Sequence, residues 1–171
     1  MKLYFSGFCL ENEAELFQEY IIKNDYTLSG FSFGAIRALE FALASSAMDI
    51  RIDLIQLFSP AFFNDKDEKY KRMQLIYFKK DSKAYCDNFL ANIGLDKSQS
   101  SKYFVKGKYE ELDELLNYRW EQNKLQMLID NGTKIEVYLG ENDKIIDSKK
   151  ALEFFVDYAE VYFIENKEHI L

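Results

Sequence analysis

The most informative segment of this 171-residue chain is Leu28-Ser29-Gly30-Phe31-Ser32-Phe33-Gly34-Ala35. It contains the pattern G-x-S-x-G, between an apolar run that predicts a strand and an Ala- and Leu-rich run that predicts a helix. Glycine has no Cβ, so the two elements can approach closely around a serine held on a sharp turn. The helix also directs the positive end of its dipole at that serine, where negative charge can develop. The segment therefore predicts that Ser32 is a nucleophile.

Strands and helices alternate on both sides of this segment. Five short apolar runs predict strands at Lys2–Phe5, Tyr26–Ser29, Ile52–Phe58, Lys134–Leu139 and Glu160–Ile164. Helical periodicity marks Glu11–Lys23, Ala35–Ala47 and Lys149–Tyr158. This alternation predicts βαβ units and an α/β fold with about five mainly parallel strands.

Several of the strands alternate between apolar and polar residues, although strands buried on both faces are normally apolar throughout. The apolar set is Leu3, Phe5, Leu28, Ile135, Val137, Leu139, Val161 and Phe163. The polar and tyrosine-rich set is Lys2, Tyr4, Thr27, Glu136, Tyr138, Glu160 and Tyr162. Right-handed crossovers place successive helices on one side of a sheet, so the second face needs another cover. We expect a second copy of the chain or a folded-over insertion there.

Residues 64–131 interrupt the alternation, because they carry helical patterns and few strand signals. Their last part has an amphipathic stripe at Leu112, Leu115, Leu116, Leu125, Leu128 and Ile129. We interpret 64–131 as a helical cap, or lid, over the carboxyl edge of the sheet, and 1–63 with 132–171 as the core. The alternative is a helical subdomain that only stabilises the fold.

A nucleophilic serine needs a base, and the chain contains one histidine, His169. His169 follows the last predicted strand. If a Ser-His-acid triad exists, His169 must be its base. When the nucleophile lies on a strand–turn–helix, the acid and then the histidine are expected to follow it along the chain. Asp or Glu residues between Ser32 and His169 are compatible with that order. The alternative is a frayed terminal histidine without a role.

The acid is expected in the loop after the preceding strand. Asp143 follows the turn at Gly140 and is the first choice, because it would orient the imidazole and stabilise its charged form. Asp147 is the rival candidate. Glu141 is less favoured, since it lies closer to the strand end.

The developing oxyanion needs two backbone N–H donors. Phe33, the residue after the serine, supplies one. We assign the other to Phe8, because Gly7 allows the turn that would aim its N–H inward. Nearby aromatic residues predict an apolar substrate pocket, whose further members are Phe31, Phe58, Phe62 and Phe63.

Five segments, taken in order, resemble the α/β-hydrolases. They are S-G-F-C after the first strand, G-F-S-F-G at the serine, F-S-P-A-F-F after the third strand, L-G-E-N-D-K-I-I-D and N-K-E-H-I-L. Within that superfamily the chain resembles the short pimeloyl-acyl carrier protein methyl ester esterases of bacterial biotin synthesis. The resemblance implies hydrolysis of a carrier-bound methyl ester to methanol and a free carboxylate. It implies a triad of Ser32, Asp143 and His169, with Phe8 and Phe33 at the oxyanion hole.

The chain also departs from the family pattern. It starts at the strand before the oxyanion loop, and it ends two residues after His169. No strand is predicted between Glu11–Lys23 and Tyr26–Ser29, and Asp147 stands where proline is common. The resemblance therefore implies a minimal α/β-hydrolase fold in which the early strands and the last helix are missing.

Composition excludes several other classes. The net charge is −7 and the pI is near 4.9, so nucleic acid is a poor partner. No apolar run approaches the ~20 residues that a membrane span needs, and the N-terminus is unlike a signal peptide. Cys9 and Cys86 are too few and too far apart for a disulfide framework or a metal site. We expect a cytoplasmic protein, without metal or cofactor, as a monomer or a homodimer.

One segment is basic within this acidic chain. Residues 66–83 hold seven cations against three acids, and acyl carrier proteins are acidic. The predicted carrier-docking residues are Lys66, Lys69, Arg72, Lys79, Lys80 and Lys83. The alternative is a solvated helix face.

The leading functional hypothesis is thus a serine esterase acting on pimeloyl-acyl carrier protein methyl ester. A general carboxylesterase or thioesterase for small substrates would use the same three residues without the basic segment. A non-catalytic interaction protein on a hydrolase fold is the third hypothesis, and an ordered serine, acid and histidine argue against it.

Overall fold

The computed structural model describes residues 3–171, so Lys2 and its predicted place in the first strand lie outside the described residues. Within them the strands are β1 (Leu3–Phe5), β2 (Thr27–Phe31), β3 (Leu54–Phe58), β4 (Lys134–Gly140) and β5 (Glu160–Ile164). The α-helices are α1 (Phe33–Ala47), α2 (Glu68–Lys80), α3 (Ser82–Asn92), α4 (Lys97–Tyr103), α5 (Tyr109–Asn117), α6 (Gln122–Asp130) and α7 (Ser148–Phe155). A 3-10 helix, Glu13–Phe17, lies between β1 and β2.

The strands form one parallel sheet whose order follows the chain, β1-β2-β3-β4-β5. The predicted α/β fold with a parallel sheet is confirmed. β2 continues past its predicted end at Ser29 as far as Phe31. Because all strands run in one direction, the loops that follow β2, β4 and β5 meet at the carboxyl edge of the sheet. Ser32, Asp143 and His169 lie in those loops.

The first face of the sheet is apolar and lies under α1, α6 and α7. Its central side chains are fully buried or nearly so: Leu28, Ile55, Leu57, Ile135, Val137 and Leu139. Removing such side chains from water contributes about 25 cal/mol per Å² of apolar surface, which makes this layer the main source of stability.

The second face is covered by the 3-10 helix and the turns that follow it. The ring of Phe17 is fully buried and lies 4.8 Å from the ring of Phe58 and 4.9 Å from that of Phe31. The ring of Tyr20 lies 5.4 Å from that of Tyr138. These aromatic contacts bury this face over β2, β3 and β4, whereas Glu160 and Tyr162 of β5 stay exposed.

Gln56, in the middle of β3, connects the covering segment to the sheet by hydrogen bonds. Its fully buried side chain donates to the carbonyl oxygen of Tyr20 (2.9 Å) and to Glu136 Oε2 (2.9 Å). Its own oxygen accepts from the backbone N–H of Ile22 (2.9 Å). Burying an amide costs free energy unless its polar atoms are hydrogen-bonded. The Gln56 amide meets this condition with partners in the covering segment, at Tyr20 and Ile22, and on β4, at Glu136.

Two expectations about this face are corrected. Glu11–Lys23 is not one helix, because the N–H of Ile22 bonds to Gln56 instead of continuing a helical ladder. A second copy or the insertion was expected as the cover, but residues 13–23 of this chain lie over β2 and β3 and the insertion supplies only part of the cover. Leu90 and Ile93 of the insertion join the same apolar cluster.

Residues of the connection from β1 to β2 cover the second face because this connection differs in hand from the one between β2 and β3. α1 joins β2 to β3 across the first face, whereas residues 6–26 join β1 to β2 across the second. Since β1, β2 and β3 follow one another in the same direction, these two connections have opposite hands. The right-handed rule, which holds for nearly all such connections, therefore fails at one of them.

The inserted helices α2, α3 and α5 lie beside the carboxyl edge of the sheet, and α2 packs against both α3 and α5. α6, which the predicted division at residue 131 places in the cap, packs against α1 and β4 instead. The last residue of α4 and the residues after it hold the loop that follows β1. The N–H of Val105 donates to the carbonyl oxygen of Cys9 (3.0 Å), and the N–H of Glu11 donates to that of Tyr103 (2.8 Å).

Candidate active site

Ser32 occupies a strained turn between β2 and α1. Its φ is 53° and its ψ is −112°, a conformation that non-glycine residues rarely adopt. The backbone holds it there, because its N–H donates to the carbonyl oxygen of Phe58 (2.9 Å) and its own carbonyl accepts from Ala61 (3.1 Å). A Cβ at Gly34 would lie 1.9 Å from the carbonyl oxygen of Phe5, so only glycine allows α1 to start this close to β1.

The structure brings the serine, the histidine and an aspartate together. His169 Nε2 lies 3.0 Å from Ser32 Oγ, and His169 Nδ1 lies 2.6 Å from Asp143 Oδ2. The side chains of His169 and Asp143 have no exposed surface. The imidazole ring packs against Phe31, with centroids 5.0 Å apart, and against the edge of Phe89 at 6.4 Å. An Nδ1–H tautomer would leave Nε2 free to accept the serine proton.

Asp143 is held by its own loop. Its Oδ1 accepts from the backbone N–H groups of Ile145 (2.7 Å) and Ile146 (3.0 Å), which leaves Oδ2 for the histidine. The rival Asp147 caps α7 by accepting from the N–H of Lys150 (3.1 Å). Glu141 accepts from the N–H of Asn166 (3.2 Å). Only Asp143 of the three candidates contacts the imidazole.

Ser59, Gly140 and Lys144 contact the histidine loop, and no pattern in the sequence predicted these contacts. Ser59 Oγ donates to the carbonyl oxygen of His169 at 2.7 Å. A Cβ at Gly140 would lie 1.9 Å from the carbonyl oxygen of Glu168. Lys144 Nζ forms an ion pair with Glu168. A lone serine, glycine or ion pair carries no signal in one sequence, because its partner is set by the tertiary fold.

The predicted oxyanion donors are Phe33, which follows Ser32 in the chain, and Phe8, which lines the same cavity as Ser32. Phe33 is the first residue of α1, so its N–H belongs to the first turn, which lacks intrahelical partners. Phe8 lies in the loop of residues 6–10, named here the oxyanion loop. Glu13 holds this loop from inside the protein, since its fully buried Oε1 accepts from the N–H of Gly7 (2.8 Å) and from the hydroxyl of Tyr4 (3.2 Å). Burial and the Glu13 carboxylate both raise the pKa of Tyr4.

A cavity of about 150 Å³ opens beside Ser32 between the sheet edge and the inserted helices. Phe8 and Phe63 form its wall next to the serine. The other lining residues are Tyr70, Gln74, Tyr85, Asn88, Phe89, Asn92, Leu112, Leu115, Leu116, Lys144 and Ile145. Part of the lining is therefore leucine-rich, from α5, and another part carries amides and phenols from α2 and α3.

Of the four aromatic residues predicted to line a pocket, Phe63 lines this cavity and the other three do not. Phe31 and Phe58 point to the second sheet face, where they pack on Phe17. Phe62 packs under α7, with its ring 5.3 Å from that of Phe154. In each case the aromatic side chain packs in the core and does not line the cavity.

The predicted basic residues differ in whether they have partners inside the protein. Lys66 pairs with Asp65 (2.6 Å), Lys83 pairs with Asp87 (2.6 Å), and Lys79 lies over the ring of Tyr109 (4.4 Å). The other three are exposed and form no ion pair with any described side chain: Lys69, Arg72 and Lys80. Along α2 those three share one side with the exposed Ile76, opposite Tyr70 and Gln74, which line the cavity.

Two features are absent from the described residues, 3–171. No cluster of three or more His, Cys, Asp or Glu side chains in that range is arranged to bind a metal ion. No helix in that range is long and apolar enough to cross a membrane.

No protein-family model and no curated protein matches the sequence. Among solved structures, BioG from Haemophilus influenzae is 16% identical, with a TM-score of 0.61 over 99% of this chain and 88% of that chain. An esterase from Exiguobacterium antarcticum is 15% identical, with a TM-score of 0.67 over 91% of this chain and 63% of the other. A carboxylesterase of Nitrososphaera gargenis is 19% identical, with a TM-score of 0.59 over 84% of this chain, which spans 57% of that protein.

These likenesses identify the fold. The chain has the α/β-hydrolase fold in a compact form, as the sequence predicted.

Proposed function

We propose that the protein is a serine esterase that hydrolyses the methyl ester of an acyl group carried by an acyl carrier protein, with pimeloyl as the acyl group. The observation that carries the esterase part is the hydrogen-bonded series Ser32–His169–Asp143 beside a cavity. The sequence resemblance to the biotin-synthesis esterases and the fold shared with BioG support the substrate.

The chemistry follows from the positions of these groups. His169 Nε2 accepts the proton of Ser32 while Oγ attacks the ester carbonyl, and Asp143 stabilises the resulting imidazolium. The N–H groups of Phe33 and Phe8 are the proposed donors to the oxyanion. The imidazolium then protonates the departing methoxide, which gives methanol and an acyl-serine. A water molecule, deprotonated by His169, releases the carboxylate in the second half.

The size of the cavity supports a short acyl group. A cavity of about 150 Å³ can hold a benzene-sized apolar group, which is comparable to the pentamethylene chain of a pimeloyl group. The leucines of α5 suit such a chain. The amide and phenol groups of α2 and α3 suit the polar link between the acyl group and its carrier.

The outer side of α2 supports a carrier as the partner. Lys69, Arg72 and Lys80 are free to pair with acidic side chains of another protein, and the exposed Ile76 lies between them. Because Tyr70 and Gln74 of the same helix line the cavity, a carrier bound to α2 would lie close to the cavity mouth. Its prosthetic arm would then have a short path to Ser32.

The test is hydrolysis of pimeloyl-acyl carrier protein methyl ester by the purified full chain, with release of methanol as the readout. Ser32→Ala is the control for chemistry, and free dimethyl pimelate is the control for the carrier. We expect turnover of the carrier-bound ester by the wild type, much slower turnover of the free ester, and no methanol from Ser32→Ala.

Other results would change the assignment. Rapid hydrolysis of small p-nitrophenyl esters without turnover of the carrier-bound ester would support a general carboxylesterase. Absence of hydrolysis on every ester would contradict an esterase and favour a binding protein.

A further inference from the structure

The only two cysteines of the chain are 77 positions apart in sequence and touch in the structure. Cys9 lies in the oxyanion loop and Cys86 lies on α3, and their Sγ atoms are 2.7 Å apart. Both are reduced and buried. A disulfide bond is about 2.05 Å long, so a small movement would join the two sulfur atoms.

Residues that follow α4 hold the Cys9 side of this contact. The carbonyl oxygen of Cys9 accepts from the N–H of Val105, and Leu10 forms an antiparallel bridge with Phe104. Gly107 closes over the sulfur pair, since a Cβ there would lie 2.5 Å from Cys9 Sγ. The Cys9–Cys86 contact is thus one of several contacts between the oxyanion loop and the inserted segment.

The two thiols differ in acidity. Cys9 donates its S–H to Cys86, and this hydrogen bond lowers the pKa of Cys86 to about 7 despite its burial. The same hydrogen bond, together with burial, raises the pKa of Cys9. Cys86 is therefore the more acidic of the two thiols, and Cys9 is the thiol next to it.

We propose that Cys9 and Cys86 are a peroxide-sensitive dithiol that oxidises reversibly to a disulfide between the oxyanion loop and α3. The Cys86 thiolate attacks one oxygen of hydrogen peroxide, the O–O bond breaks, and protonation of the hydroxide gives water and a Cys86 sulfenic acid. Cys9 then attacks the Cys86 sulfur, the S–O bond breaks, and the departing hydroxide takes the Cys9 proton. Two thiols and one peroxide thus give one disulfide and two waters.

This bond would tie α3 to the oxyanion loop. The chain neighbours of the two cysteines, Phe8 and Tyr85, both line the cavity beside Ser32. Oxidation would therefore restrain the cap next to the proposed reaction centre. The proposal does not depend on the nature of the substrate, because its readouts are the thiols themselves.

The experiment treats the reduced full chain with hydrogen peroxide and measures free thiols, intact mass and a non-reducing peptide map. We expect loss of both thiols, a mass lower by two hydrogen atoms, and a Cys9–Cys86 cross-linked peptide that dithiothreitol reverses. The melting temperature of the oxidised form should rise by roughly 5–15 °C, because the bond closes a long loop in the unfolded chain.

Two single variants separate the roles. Cys9→Ser should stop at a Cys86 sulfenic acid that dimedone traps, and Cys86→Ser should keep Cys9 reduced at the same peroxide concentration. Two free thiols in the peroxide-treated wild type would overturn the proposal, as would disulfides that form only between molecules. The wild-type measurements decide the matter even if a variant fails to fold.

Discussion

The hydroxyl of Ser59 donates a 2.7 Å hydrogen bond to the backbone carbonyl of His169. Ser59 follows β3, in the centre of the sheet, and His169 lies in the loop after β5, at its edge. This contact fixes the backbone of the histidine from the rigid middle of the fold. The φ of 39° at Ser59, rare for a non-glycine residue, aims the serine at that carbonyl.

Ser59→Ala should lower kcat by roughly threefold to tenfold and leave KM unchanged. One hydrogen bond of this kind contributes about 0.5–1.5 kcal/mol, and Ser59 lies outside the cavity wall. Steady-state kinetics on an ester substrate measure the effect. Ser45→Ala is the matched control, because Ser45 is equally buried but lies on α1. Equal kcat values for both variants and the wild type would show that Ser59 does not position the histidine.

Gly140→Ala should reduce kcat about 100-fold, since a new Cβ would collide with the carbonyl oxygens of Glu168 and Lys167 and displace His169. Gly132→Ala serves as the control. Gly132 has nothing within 4 Å of an added Cβ but has a φ of 84°, so its substitution should lower stability and spare kcat. Thermal melts and kinetics on the two variants separate these effects, and an active Gly140→Ala would contradict the close packing.

Asp143→Asn should lower kcat by about 10⁴-fold, because an amide in place of the carboxylate favours the wrong imidazole tautomer. Asp147→Asn should stay near the wild-type rate, since asparagine caps a helix as well as aspartate does. Parallel kinetics on the two variants test the assignment. The reverse pattern would transfer the acid role to Asp147.

Lys69→Glu combined with Arg72→Glu should raise KM for the carrier-bound ester at least about 10-fold and leave a small ester unaffected. Charges at the rim of an interface act on association more than on chemistry. High salt should mimic the change, as the Debye length falls to ~3 Å at 1 M.

Lys23→Glu with Arg51→Glu is the charge-matched control for this pair. Both residues precede strands, at the opposite edge of the sheet from α2, and both are exposed. If the two double variants behaved alike, the carrier would not dock on α2.

The sequence was sufficient to predict where Ser32, Asp143 and His169 lie relative to one another. The carboxyl ends of parallel strands converge at one edge, so residues just after three strands must be close. The same logic separates Asp143 from Asp147 only in part, because loop geometry decides which carboxylate turns inward. In the structure that decision comes from two backbone N–H groups that hold Asp143.

Side-chain direction and tertiary partners limited the remaining predictions. Phe31 was assigned to the pocket because it is an aromatic residue next to Ser32, but β2 continues to Phe31 and alternation turns this side chain to the second face. The apolar spacing in 11–23 predicts a helix, and contacts with Gln56 reshape it into turns. No local pattern reports such long-range hydrogen bonds.

The central claim is that Ser32 is a nucleophile activated by His169, and covalent labelling by a fluorophosphonate tests it most directly. We expect stoichiometric labelling of the wild-type protein, with the modification mapped by peptide mass spectrometry to Ser32. Ser32→Ala should show no labelling, and His169→Ala should show almost none while keeping its fold by circular dichroism. An unlabelled wild type, a label on another serine, or undiminished labelling of His169→Ala would contradict the account.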